Sequence, residues 1–178
     1  MKRLLIVVDY QVDFVDGALG FPDAVRLEKK VAEKIRVYRD ASCDIAFTFD
    51  THGENYLATQ EGKRLPVSHC IRESAGWELF GEVKGLALSE DRRFLKPCFG
   101  SEELFDFLRE NEYDAVELVG VVTNICVISN AVLAKTALPE AKVIVDASCC
   151  AGNDAALHEK ALDVMESLQI SVIGRGLR

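Results

Sequence analysis

Short apolar runs alternate along the chain with longer segments of helical periodicity. Leu4 to Val8 is continuously apolar and ends in Asp9, the pattern of a central strand covered on both faces. After a loop containing Gly17, Gly20 and Pro22, the residues Leu27, Val31, Ile35 and Tyr38 recur at helical spacing, which predicts a helix over 24–38. A second strand is expected over 44–49, ending in Asp50. Residues 51–85 are polar, broken by Gly53, Gly62, Pro66, Gly76 and Gly81, and carry no long period, so they read as irregular. A connection of that length inside a compact domain tends to carry function. Phe94 and Leu95 then form a short extended piece before Lys96 and Pro97. Ser101 reads as the N-cap of a helix with Leu104, Phe105, Phe107 and Leu108 on its apolar positions. A strand over 115–119, apolar except for Glu117, leads through Gly120–Val127 into a helix over 128–137. A strand over 142–145 ending at Asp146, an amphipathic helix over 154–168 and a strand over 170–173 complete the pattern.

This alternation predicts an α/β fold with a parallel sheet and helices on both faces, built as one domain over residues 1–178 without linker or repeat. Ligands in open sheets of this kind bind beyond the carboxyl ends of the strands. Asp9, Asp50, Lys96 and the Cys126 loop each lie at or just past such an end, so residues far apart in sequence are expected along one edge.

Cys126 sits at a strand-to-helix turn. There a helix N-terminus and a nearby ammonium group would lower a thiol pKa, and backbone N–H groups could face a developing oxyanion. The alternative is a small buried residue packing helix on sheet. Asp9, Lys96 and Cys126 together form a workable nucleophilic set: a thiolate favoured by the lysine attacks an amide carbonyl, while the carboxylate takes and returns the proton. Asp50 and His52 have Asp-x-His spacing, with Glu61 and His69 following in the irregular segment. Carboxylate oxygen and imidazole nitrogen suit zinc, manganese or iron, against the alternative of an ordinary polar loop. His158 reads as a surface or packing residue.

Composition narrows the function classes. With 49% hydrophobic residues the chain can bury a core, and no stretch approaches the ~20 uninterrupted apolar residues of a membrane span. The opening residues are too short and acidic-ended for a signal peptide, which predicts a cytoplasmic protein. A net charge of −8 with scattered basic residues argues against a nucleic-acid surface. The six cysteines (Cys43, Cys70, Cys98, Cys126, Cys149 and Cys150) contain no C-x-x-C pair and are expected as thiols.

Five segments, in order and spanning nearly the whole chain, carry a family resemblance: Val8–Phe14, Phe47–His52, Pro66–Cys70, Lys96–Phe99 and Gly120–Val127. The sequence resembles the isochorismatase-like cysteine hydrolases, and within them the nicotinamidases most closely. The resemblance implies a three-layer α/β/α sandwich around a six-stranded, mostly parallel sheet. It implies that Asp9, Lys96 and Cys126 are the catalytic triad, that a cis peptide joins Val121 and Val122, and that the N–H groups of Val122 and Cys126 form the oxyanion hole. Asp50, His52 and His69 match the family's metal ligands, with Glu61 as a fourth by its spacing. The implied cofactor is a divalent ion, zinc ahead of manganese or iron, holding the pyridine nitrogen of the substrate. Phe14 and Phe99 match pocket aromatics, core packing being the alternative for each. Leu65, Pro66, Val67 and Ser68 occupy the stretch where nicotinamidases place an aromatic residue against the ring.

The resemblance thus implies hydrolysis of a small carboxamide through a thioester, nicotinamide giving nicotinic acid and ammonia, with a place in NAD metabolism. Two alternatives are a metal-independent hydrolase of another small amide, such as a carbamoyl or ureido compound, and a non-catalytic member that binds a ligand or senses oxidation through Cys126. The expected partner is the small-molecule amide, with no nucleic acid and no membrane. A homo-oligomer is compatible with the family's habit.

Overall fold

The computed structural model describes residues 1–176. Six strands, β1 (Arg3–Val8), β2 (Asp44–Asp50), β3 (Arg92–Lys96), β4 (Ala115–Val121), β5 (Lys142–Ala151) and β6 (Ser171–Ile173), form one sheet in the order β3-β2-β1-β4-β5-β6. Every neighbouring pair is parallel. The helices are α1 (Val12–Val15), α2 (Pro22–Arg26), α3 (Glu28–Asp40), α4 (Gln60–Arg64), α5 (Gly81–Leu86), α6 (Glu102–Glu110), α7 (Ile128–Ala137) and α8 (Ala155–Ser167). The chain order reverses between β1 and β4, so the crevice at their carboxyl ends is the switch point of the sheet.

Alternation along β1 divides its side chains between two cores. Leu4, Ile6 and Val8 pack with α6, α7 and α8 through Leu104, Leu108, Ala131, Ala134, Leu162 and Met165. Leu5 and Val7 face the opposite layer, with Phe14, Val31, Ile35, Tyr38 and Val83. This is the expected three-layer sandwich. At the switch point a Cβ on Gly120, whose φ is +116°, would lie 2.1 Å from the Val8 carbonyl oxygen. Only glycine satisfies both the conformation and the approach. No helix among the described residues is long and apolar enough to cross a membrane.

Three expectations change. The helix expected over 24–38 is two helices meeting at Leu27, the first opening earlier with Pro22 in its first turn. β5 runs on past Asp146 to Ala151, because a register shift against β4 lets Cys150 pair with Gly120 after the chain has bulged outward. The segment over 51–85 is not wholly irregular. It contains α4, α5 and two single 3₁₀ turns, Tyr56–Ala58 and Ala75–Trp77.

Glu117, the one charged residue of the β4 run, is buried under α3. It accepts from Tyr38 Oη at 2.6 Å and from Lys34 Nζ at 2.6 Å. Lys34 also pairs with Asp146 Oδ2 at 2.8 Å, so one ammonium serves two carboxylates on adjacent strands. Burial pushes the Asp146 carboxyl up, but the Lys34 and Ser148 hydrogen bonds and the lysine's charge outweigh it, and the group is held below its ordinary value. A carboxyl depressed on folding stabilises fully above its unfolded pKa of ~3.9, and that contribution is lost as pH falls through the folded value. Lys34→Met is expected to cost about 3 kcal/mol, the scale for stripping one partner from a buried pair. That corresponds to a drop of about 6–12 °C in melting temperature for a chain of this size. The loss of stability below about pH 4 should also become shallower than in the wild type. Thermal melts at several pH values check both; a wild-type melting temperature in the variant would contradict the buried pairing.

Candidate active site

β2 and β3 end in a charged residue and β1 is followed by one, all on the same edge, and those charges converge. Lys96, the last residue of β3, is buried to 1% exposure. Its Nζ lies 2.7 Å from Asp9 Oδ2, 3.1 Å from Asp50 Oδ1 and 3.5 Å from Cys126 Sγ. Burial alone would lower its pKa, but the charges of Asp9 and Asp50 reverse this and hold it well above the ordinary lysine value. The side chain is an ammonium ion.

Asp9 leaves β1 with a φ of +45°, a left-handed conformation disfavoured by ~1–2 kcal/mol for a residue with a Cβ. Its N–H reaches the Thr48 carbonyl and hydroxyl oxygens, each at 3.2 Å, and the Thr48 hydroxyl donates to Asp9 Oδ1 at 2.6 Å. Oδ2 has the lysine as an ion-pair partner but accepts no well-aligned hydrogen bond. The Asp9 carboxyl acts on the Cys126 thiol through its charge and hydrogen bonding. Burial pushes the Asp9 carboxyl up, with Lys96 opposing.

Cys126 is buried in a single π-helical turn, Thr123–Val127, that joins β4 to α7. The Val127 N–H closes this turn on the Val122 carbonyl at 3.2 Å. The Val121–Val122 peptide is cis, as the resemblance implies. The expected depression of the thiol pKa is not found. Burial, followed by the Asp9 charge, pushes the thiol well above its ordinary value, and Lys96 only partly offsets them. Two carboxylates share the one ammonium, so its field cannot by itself hold a thiolate.

Beside these three residues, Asp50, His52 and His69 bring one donor atom each to within 4.8 Å of one another. Asp50 Oδ2 is 2.9 Å from His52 Nε2 and 3.4 Å from His69 Nε2, and Glu61 Oε1 stands 3.9 Å from both imidazole nitrogens. Burial raises the Asp50 carboxyl, but hydrogen bonds from the two histidines and the charge of Lys96 outweigh it and hold the group well below the usual carboxylate range. His69 Nδ1 lies 2.8 Å from the Val67 carbonyl oxygen, which places a proton on Nδ1 and turns Nε2 towards Asp50. A carboxylate and imidazoles so oriented fit a divalent metal ion. Asp50 therefore faces the cluster with one oxygen and Lys96 with the other.

Both groups of residues border a cavity of about 250 Å³. Phe14, Leu19, Phe21, Leu65, Phe99 and Ile125 supply apolar walls, while Asp50, Glu61, His69, Cys126 and Asn153 supply polar atoms. Phe14 also packs on His69 with ring centroids 5.4 Å apart, and Phe99 remains 43% exposed at the rim. Leu65 lines the wall where the family pattern has an aromatic.

Several residues of this site escaped sequence reasoning. Gln11 donates to the Asp50 carbonyl at 3.0 Å and accepts its N–H at 2.8 Å, fixing that strand end. Tyr56 lies under both imidazoles, 4.7 Å from the His52 ring and 4.9 Å from the His69 ring. Thr48 interrupts an apolar central strand, a signal that could have been read. Nothing local marks Asn153. His158, half-buried on α8, has its Nδ1 2.9 Å from Thr123 Oγ1 and so supports the cysteine turn.

The isochorismatase domain matches this chain over residues 3–175. An uncharacterized isochorismatase family protein, PncA from Bacillus subtilis (strain 168), is 27% identical over 143 residues, covering 74% of this chain and 78% of that protein. The pyrazinamidase of Pyrococcus horikoshii in complex with zinc superposes with a TM-score of 0.85 at 27% identity, over 98% of this chain and 100% of the other. The pyrazinamidase/nicotinamidase of Streptococcus mutans UA159 gives a TM-score of 0.86 at 29% identity, over 97% and 100%. With the family's domain matched across almost its whole length and the sheet, turn and cavity in the places described, the chain belongs to the isochorismatase family.

Proposed function

We propose that the protein is a cysteine amidohydrolase that converts nicotinamide to nicotinic acid and ammonia. The observation that carries this reading is the position of Lys96 Nζ, 3.5 Å from Cys126 Sγ and 2.7 Å from Asp9 Oδ2, next to the Asp50–His52–His69 cluster. Pyrazinamidases and nicotinamidases of the same fold, one of them with zinc, support the choice of amide and of metal. The cavity suits a flat neutral ring between apolar walls.

Cys126 begins as a thiol, because burial and Asp9 hold its pKa up. As the sulfur attacks the carboxamide carbon, Asp9 Oδ2 takes the thiol proton, and Lys96 stays charged beside the developing negative charge. The N–H groups of Val122 and Cys126 receive the oxyanion. Asp9 then gives its proton to the leaving nitrogen, which departs as ammonia and leaves a thioester. A water deprotonated by Asp9 attacks that thioester, and the acid and the free thiol are released. Asp50, His52 and His69 would hold the metal ion, with Glu61 as the fourth side chain beside it. When bound there, zinc supplies a Lewis-acidic contact for the ring nitrogen that orients the carboxamide.

Cys126→Ala is expected to lower ammonia release from nicotinamide by ~10⁴-fold or more, and Asp9→Asn or Lys96→Met by ~10²–10⁴-fold, with the variants still folded. Ammonia assays beside circular dichroism check this; a folded Cys126→Ala protein with substantial turnover would overturn the thioester route. For the metal, the purified protein is expected to contain about one equivalent of zinc by elemental analysis, and His52→Ala or His69→Ala much less. Chelation should abolish turnover and added zinc restore it. Full turnover of nicotinamide by metal-depleted protein would favour the metal-independent reading instead.

A further inference from the structure

We propose that Asn130 is a positioning residue for this hydrolysis: its amide ties the Cys126 turn to the loop between Lys96 and Ser101, setting the nucleophile against the ammonium and the Phe99 wall. The proposal rests on the reading of Cys126 as nucleophile. Asn130 lies on α7 and is fully buried. Its Nδ2 donates to the Cys126 carbonyl at 2.8 Å and to the Phe99 carbonyl at 3.0 Å. Its Oδ1 accepts the Ser101 N–H at 3.0 Å. Two carbonyls and one N–H fix the orientation of the amide, since the reversed side chain would oppose acceptor to acceptor and donor to donor.

The chemistry of these three bonds is specific to a carboxamide. Threonine has one donor, aspartate has none when ionised, and alanine leaves the Ser101 N–H and Phe99 carbonyl without this partner. Helix packing alone would be served better by an apolar residue, because a buried amide is costly unless all its bonds are made. Here they join elements 29 and 31 residues apart. The loop they hold starts at the catalytic lysine and ends where the Ser101 hydroxyl accepts the Leu104 N–H and caps α6. Gly100 lies against the Leu133 side chain of α7. Asn130 therefore hydrogen-bonds both the peptide of the nucleophile and the strand-end loop of the lysine.

In the full-length, zinc-loaded enzyme, Asn130→Ala is expected to lower kcat for nicotinamide about 100-fold while KM stays within about threefold, the scale for displacing a reacting group by ~1 Å. Asn130→Asp, nearly isosteric but without donors, should lose as much. Ala134→Gly, which loosens the same helix away from the turn, should keep kcat within about twofold at a temperature where all variants are folded. Alkylation of Cys126 by iodoacetamide, resolved by peptide mass spectrometry, reads the same turn without substrate. Its rate is expected to change by about fivefold or more in Asn130→Ala and by less than about twofold in Ala134→Gly. If the wild type releases no ammonia from nicotinamide, the nicotinamide reading fails and the alkylation rates alone decide this one. Wild-type kcat and alkylation rate in a folded Asn130→Ala or Asn130→Asp protein would overturn the proposal. So would the failure of both to fold, if Asn130→Ser, which keeps a single bond, folds and keeps the wild-type alkylation rate.

Discussion

A lysine ammonium without access to water must be surrounded by negative charge, and the carboxyl edge of this sheet is arranged around that requirement. Lys96 meets Asp9 on one side and Asp50 on the other, with Cys126 completing the shell. Removing either acid would leave a buried charge undercompensated, a penalty of several kcal/mol. The same geometry joins two chemistries. Asp9 belongs with the thiol, Asp50 with the imidazoles, and the lysine between them sets the separation of the Cys126 sulfur from the metal-fitting cluster.

The topology explains why four residues distant in sequence can do this. β1 and β4 are neighbours at the switch point, β2 and β3 follow outward, and all four run the same way. Their ends share one edge, where the backbone at position 120 leaves no room for a side chain. The price of that edge is local conformation: Asp9 takes a left-handed φ, and the cysteine turn is a π-helical one. Hydrogen bonds from the Thr48 hydroxyl to Asp9 and from the Asn130 amide to the Cys126 carbonyl tie these conformations to their surroundings.

Much of this is legible in the sequence, for physical reasons. Strands covered on both faces read as unbroken apolar runs, so the charged residue ending each run stands out, and Asp9 and Asp50 are recognisable that way, whereas Lys96 follows only the short apolar pair Phe94–Leu95 of an edge strand. Cys126 is recognisable because a strand run and a helical run meet at it. What escapes depends on long-range placement. The extension of β5 to Ala151 follows a register shift that no local pattern announces, and Leu27 is apolar and in helical phase although the helix breaks there. The turns and helices between Thr51 and Leu86 are three to six residues long, too short for a period to appear. The thiol's pKa moves opposite to the expected direction because it turns on burial and on how many carboxylates share one lysine, and neither can be counted along a chain.

The most direct test of Cys126 as the nucleophile is to look for the covalent intermediate. Zinc-loaded protein turning over nicotinamide would be quenched in acid within milliseconds and digested, and the acylated peptide located by mass spectrometry. The expected result is a nicotinoyl thioester on Cys126 that disappears when the substrate is exhausted. An acyl group on any other residue would contradict the nucleophilic role of Cys126, as would ammonia release in which burst kinetics indicate an intermediate but Cys126 stays unmodified throughout.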